Sequence, residues 1–191
     1  GAAQRGGGSN GRLKGYKGST WEGGMRVPCI IKWPATIPAG TVSRDIVSTL
    51  DILPTLANIV GQKLPYDHII DGLDLSPMLA NPLEVNSPRD TMYYYYQSHL
   101  CAVRHENWKL HVRPSKANVG PNYQPELYNL ENDMGETRSV YDEPPEVVYR
   151  LTELIEFCRK DLGDGNLPGK NTREPGFVKE PQTLTVKPTT E

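Results

Sequence analysis

The chain has 191 residues, enough for one ordinary domain or a domain with a satellite, and enough to bury a real core. Eighteen glycines and 17 prolines against a hydrophobic share of 37% mark a loop-rich chain, and a net charge of −2 gives no global field for nucleic acid or an anionic membrane. The apolar runs are only a few residues long, far short of the roughly 20 that span a bilayer. Cys29, Cys101 and Cys158 are too few and too widely spaced for a disulfide framework or a Cys-x-x-Cys site.

Residues 1–26 hold nine glycines and carry Arg5, Arg12, Lys14, Lys17 and Arg26 against a single acid, Glu22. With no periodic apolar face, this is a loop that can bring backbone amides close to something small. The run PCIIKWP, bounded by prolines, predicts a buried strand followed by a turn at ATIPAGT. Asp51 suits an N-cap for ILPTLANIV, predicting a helix over 51–60 with Gly61 just past its end. Ile52, Leu53, Leu56, Ile59 and Val60 recur at helical spacing, so this helix should pack on something larger. Residues 61–90, with four prolines, read as a long surface connection.

From residue 91 the period changes. TMYYYYQSH, LCAVRH, WKLHVR and ELYNL predict four strands of an antiparallel sheet, with HENW as a tight hairpin connection and NDMGE as a turn. In WKLHVR, Trp108, Leu110 and Val112 alternate with Lys109, His111 and Arg113, the pattern of a strand buried on one face only. Tyr93 to Tyr96 should likewise send two rings into the core and leave two outside. After Pro144 and Pro145, Val147, Leu151, Leu154 and Cys158, with Val148 and Ile155 beside them, predict a helix ended by Gly163 and covering the sheet. Residues 163–191, charge-balanced and poor in apolar groups, read as an extended or disordered tail.

GYKGSTWEGG at 15–24 sets Lys17 between glycines, which suits a tetrahedral oxyanion: side-chain-free backbone can approach, and the ammonium is a compact charge. The segment from Gly8 through PAG at 40 closely resembles the stretch near the end of the catalytic domain of type I sulfatases, in the alkaline phosphatase superfamily. The resemblance continues in order through STLDILPTLANIVG, DGLDLSPML, RDTMYYYY, AVRHENWKL and ELYNLENDMGETRSV, covering about residues 1–162, with Met134 where proline is usual.

That resemblance implies an α/β fold: the end of a large mixed-sheet catalytic domain (1–85), then a small C-terminal subdomain of four antiparallel strands and one helix (86–162), then the tail (163–191). It implies hydrolysis of a sulfated carbohydrate or aryl sulfate by a formylglycine hydrate with a bound divalent cation, usually calcium. Neither the Cys-x-Pro-x-Arg nor the Ser-x-Pro-x-Arg precursor of formylglycine occurs around Cys29, Cys101 or Cys158. The family's metal ligands fall upstream, with Gly1 matching the glycine after its Asp-Asn pair, so nucleophile and metal ligands are expected in the missing N-terminal part of the same catalytic domain, and the chain alone should be inactive. Lys17 matches the sulfate-binding lysine, and Glu22 the carboxylate of the same pattern, read as structural support for the loop.

Lys14 and Arg12 could widen the positive patch, with solvated surface the simpler reading. A substrate-facing role is open for one of His99, His105 and His111, while Asp71 and Asp74 read as turn formers rather than calcium ligands. The resemblance implies an exported enzyme, periplasmic, secreted or lysosomal. A phosphodiesterase or phosphonate hydrolase of the same superfamily, or a non-catalytic sugar-binding module, are the alternatives.

Overall fold

Alternation in the second half of the chain becomes a ladder in the computed structural model, which describes residues 7–67, 69–113, 123–174 and 176–182. Gly1 and the last nine residues of the expected tail lie outside the described residues. Before the ladder come three short helices, α1 (Glu22–Met25), α2 (Ile52–Ile59) and α3 (Ser76–Ala80). Strands β1 (Thr91–Tyr96), β2 (His99–His105), β3 (Trp108–His111) and β4 (Glu126–Asn129) then pair antiparallel in the order β1-β2-β3-β4. Gln97 and Glu106, at φ of 53°, turn the chain between β1 and β2 and between β2 and β3.

The register sorts the sheet into two faces. Tyr93, Val103, Leu110 and Leu127 stand in one cross-strand row, and Met92, Arg104, Lys109 and Tyr128 in the next. Helix α4 (Pro145–Leu162) covers the first face, its Val147, Leu151, Ile155 and Cys158 packing with Leu100, Val103, Leu110 and Leu127 as one hydrophobic cluster. Each such aliphatic side chain contributes roughly 1.5–3 kcal/mol by leaving water. Leu154 is only partly buried, so the stripe runs through Ile155 instead.

The second face is not wet, and here the sequence reading needs correcting. Lys109 and His111 are both 0% exposed, because the glycine-rich loop lies over them. Nor do two tyrosines stay outside: Tyr93 and Tyr95 pack on the α4 side while Tyr94 is buried against the loop.

Two further expectations change. PCIIKWP forms no strand: no described strand lies beside it to complete a ladder, and Ile30 is 94% exposed. The helix at 51–60 is present as α2, with Asp51 at its N-cap position and Gly61 turning the chain after it at φ 67°, but the Asp51 side chain makes no cap hydrogen bond to it. Ser48 and Asp51 instead form a capping box around the 3₁₀ turn Thr49–Asp51. The fully buried Asp51 carboxylate accepts from Leu73 N–H at 2.8 Å and Arg89 Nε at 3.0 Å, tying down the middle and the far end of the 61–90 connection, which also contains α3. Ile52, Leu53 and Leu56 of α2 are more than half exposed; no described element covers the stripe that periodicity marked for packing.

The stretch expected to be tail opens with a small ribbon, β5 (Gly163–Asp164) paired with β6 (Leu167–Pro168). Asp164 accepts from Leu100 N–H at 3.1 Å, Arg113 Nη1 at 2.7 Å and Arg159 Nε at 3.1 Å. Burial alone would raise the Asp164 carboxyl, but these donors outweigh it and hold it below its ordinary value. All three cysteines are free, and no helix among the described residues is long and apolar enough to cross a membrane.

Because Leu151 is fully buried at the centre of the α4–sheet cluster, Leu151→Ala should cost about 2–5 kcal/mol of unfolding free energy, read from urea unfolding of the chain. A loss under about 1 kcal/mol would mean α4 does not anchor the sheet.

Candidate functional site

Residues 15–24 fold back tightly on themselves. Ser19 N–H donates to the Tyr16 carbonyl at 3.0 Å and Ser19 Oγ donates to the same oxygen at 2.8 Å, closing a turn with Lys17 and Gly18 at its tip. Glycine is needed where the strands of this loop touch. A Cβ on Gly24 would lie 2.2 Å from the Ser19 carbonyl oxygen, and one on Gly15, at φ 82°, would lie 2.5 Å from Ser19 Oγ. Lys17 is exposed, and no described residue pairs with its ammonium. A surface hollow lined by Trp108, Asn129, Asp133, Arg138 and Glu143 does not include it.

What holds the loop is a charge cluster beneath it. Glu22, the first residue of α1, is fully buried; its Oε1 accepts from Lys109 Nζ at 2.9 Å and Tyr94 Oη at 3.0 Å, and its Oε2 from Arg104 Nη1 at 3.4 Å. Glu136, in the turn after β4, accepts the Glu22 N–H at 2.8 Å through Oε2. Its Oε1 lies 2.9 Å from Lys109 Nζ and 3.2 Å from His111 Nε2. Lys109 also donates to the Thr20 carbonyl at 2.8 Å and sits 4.2 Å over the Tyr94 ring. One ammonium therefore joins the loop, β3 and the turn at 136, with a carboxylate from each of two distant segments.

Lys14 neither widens a positive patch nor sits in open solvent: half-buried, it donates to the Glu136 carbonyl at 2.8 Å and stacks 3.6 Å from the Trp21 ring centre. Trp21 in turn lies 4.2 Å from the His111 ring. Arg12 is exposed.

Carboxylate oxygens can only accept, so His111 Nε2 carries the proton it gives to Glu136, and the buried Nδ1 has no partner among the described residues. Burial, outweighing the Glu136 contact, pushes His111 below its ordinary 6.5 and keeps it neutral. Burial alone would raise Glu136, but the His111 hydrogen bond, the charge on Lys109 and the Glu22 amide prevail and hold it below 4.5.

The other histidines lie elsewhere. His99 Nδ1 is 3.7 Å from Asp164, and His105 Nδ1 is 2.9 Å from Thr91 Oγ1. Asp74 accepts from Ser76 N–H at 2.8 Å and from Asn58, while Asp71 pairs with Arg173. The described residues do not fit the divalent cation the resemblance implies: no three of His, Cys, Asp and Glu converge, and Lys109 fills the space between Glu22 and Glu136. Lys109, Glu136, Arg104 and Tyr94 were not singled out as site residues in the sequence. The available signal was a lysine and a histidine in alternation on a strand face that proves to be covered.

This loop from Tyr16 onward and the sheet that clamps it fall inside residues 16–161, which match a family model described as N-sulphoglucosamine sulphohydrolase, C-terminal. The chain belongs to this sulfatase family. It is 35% identical to the steryl-sulfatase of Mus musculus over 177 residues, 80% of this chain and 28% of that protein. It is 40% identical to the N-acetylgalactosamine-6-sulfatase of Rattus norvegicus over 111 residues, 58% of this chain and 21% of that protein. Among solved structures, Ps i-CgsB in complex with k-i-k-neocarrahexaose superposes with a TM-score of 0.62 at 30% identity, over 76% of this chain and 31% of that one. The sulfatase region in hand thus spans under a third of the length of each of these relatives.

The buried cluster gives the sulfatase region an acid sensitivity with two limbs. The unfolded imidazole of His111 takes up a proton near 6.5 and the folded one resists, so stability falls as pH drops below 6.5. Glu136 contributes stability above 4.5 that is lost as pH falls through its lower folded value. Urea midpoints measured from pH 8 to 3 should decline in both ranges, and His111→Gln should flatten the upper limb alone. A midpoint independent of pH between 7 and 5 in the unsubstituted chain would contradict a buried neutral His111.

Proposed function

We propose that this chain is the C-terminal part of a sulfuric ester hydrolase, and that Lys17 is its contribution to the sulfate site. The observation that carries the reading is the arrangement of Lys17: an ammonium with no partner among the described residues, raised on a turn of touching glycine backbone that a buried charge cluster fixes from below. A partnerless cation on a preorganised loop is what an oxyanion site requires, since no reorganisation is needed when the anion arrives. Membership in the sulfatase family makes a sulfate ester the anion of choice.

Lys17 would neutralise a non-bridging sulfate oxygen as charge builds on the transferring group and the ester S–O bond breaks. Glu22 takes no part in proton transfer; it is enclosed by Lys109, Arg104 and Tyr94 and holds the loop in place. A formylglycine nucleophile and calcium belong, in this reading, to the part of the catalytic domain preceding residue 1. The exposed stripe of α2, with Ile52, Leu53 and Leu56, is the surface that part would cover. Sulfated carbohydrates or aryl sulfates are the substrate class and export the destination, the first in keeping with relatives whose names include N-acetylgalactosamine-6-sulfatase.

In the complete protein, Lys17→Ala should lower hydrolysis of an aryl sulfate by roughly 100-fold or more, the scale of losing one preorganised electrostatic contact. An unchanged rate would remove Lys17 from the site. The isolated 191-residue chain should show no turnover of the same substrate with calcium present; turnover that copurifies with it would place a complete active site within this chain.

A further inference from the structure

We propose that Lys109 is the positioning residue for Lys17, an inference that rests on the sulfate-binding role of Lys17 and deepens it. Lys109 projects from β3 on the face opposite α4 and reaches Thr20 and Glu22, the residues three and five positions after Lys17. It grips the loop at the Thr20 carbonyl, 2.8 Å away, and at the Glu22 carboxylate, 2.9 Å away, the two points between which the chain leaves the tip and enters α1. Glu136 closes the arrangement: it binds Lys109 Nζ at 2.9 Å and the Glu22 backbone amide at 2.8 Å, so side chain and backbone of Glu22 are held by one network.

The cluster is built so that the loop cannot relax by itself. Lys109, Glu22 and Glu136 are all 0% exposed, and a buried charge freed from its partners has no water to turn to. Moving the loop outward would separate Lys109 from Glu22 and from the Thr20 carbonyl together. The close packing of Gly24 against the Ser19 carbonyl passes that constraint to the tip, since the two arms of the loop cannot slide past one another. Lys17 thereby owes its height above the sheet to an ammonium that never meets the anion. Displacement of such a group by about 1 Å costs on the order of 100-fold in rate.

The experiment is a double-mutant cycle in the complete protein with Lys17→Ala, Lys109→Met and the pair. It is read as kcat/KM for an aryl sulfate and as the inhibition constant of inorganic sulfate, below the unfolding midpoint of every variant. Lys109→Met alone should lower kcat/KM about 100-fold and weaken sulfate inhibition. In the Lys17→Ala background the same substitution should change either quantity by less than about threefold, because the residue it positions is gone. Equal losses in both backgrounds would make Lys109 a purely structural residue and overturn the proposal.

Should Lys109→Met fail to fold, the isosteric Glu22→Gln weakens the same grip. It should cost about 10-fold in the unsubstituted background and nothing further beside Lys17→Ala. Amide hydrogen exchange over residues 15–24 separates the two layers of the argument. Faster exchange in Glu22→Gln together with a harmless Lys17→Ala would reject the sulfate role of Lys17 while leaving the clamp. Unchanged exchange with unchanged sulfate inhibition would reject the clamp itself.

Discussion

A single buried ammonium, that of Lys109, sits where three parts of the chain meet, and most of what is distinctive in the structure follows from it. Taking an ammonium and two carboxylates out of water costs several kcal/mol for each ion, which is offset only when every charge finds close partners. Lys109 meets this condition with Glu22, Glu136, the Thr20 carbonyl and the Tyr94 ring. The condition is collective. The loop at 15–24, β3 and the turn carrying Glu136 must all be in place before any of them is stable in this form, so the geometry around Lys17 is a product of the C-terminal sheet as much as of its own glycines.

The sheet accordingly has two interiors of different chemistry. Toward α4 it buries Leu100, Val103, Leu110 and Leu127 in hydrocarbon, where shape alone has to match. Toward the loop it buries Lys109 and His111 and half-buries Arg104, where donors must match acceptors. An apolar interface could hold the loop against the sheet but would allow it many near-equivalent positions. A network of directed hydrogen bonds allows few, so the loop is held in one position over the sheet.

The strands, the long helix and the glycine loop were legible because their signals are local: period-two alternation in WKLHVR, helical spacing from Val147 to Cys158, glycines crowded around Lys17. The role of Glu22 in the same loop could be framed from its pattern but not its partners, since Lys109 lies 87 positions away and Glu136 114. Local pattern misleads where it implies water on one side of an element. Lys109 and His111 were read as a solvated face, because a charged residue alternating with apolar ones is usually exposed, and nothing local announces a loop folding back over them. The opposite error arose at PCIIKWP and α2, where apolar residues implied cover that no described element provides. Capping was similarly displaced: Asp51 is a good cap by type, but Arg89, the Leu73 amide and the Ser48 amide take its carboxylate, and Ser48 caps the 3₁₀ turn that precedes α2.

The bare stripe on α2 has a consequence for handling the molecule. Ile52, Leu53 and Leu56 form a sticky ridge, joined in exposure by Ile30 and Val42 from the stretch before it. At the concentrations of a purification column such ridges find one another, so solubility here reports how well that side is shielded rather than how well the β-sheet has formed. Precipitation of a preparation with native-like strand content would therefore be a symptom of an unattended seam, and not of misfolding.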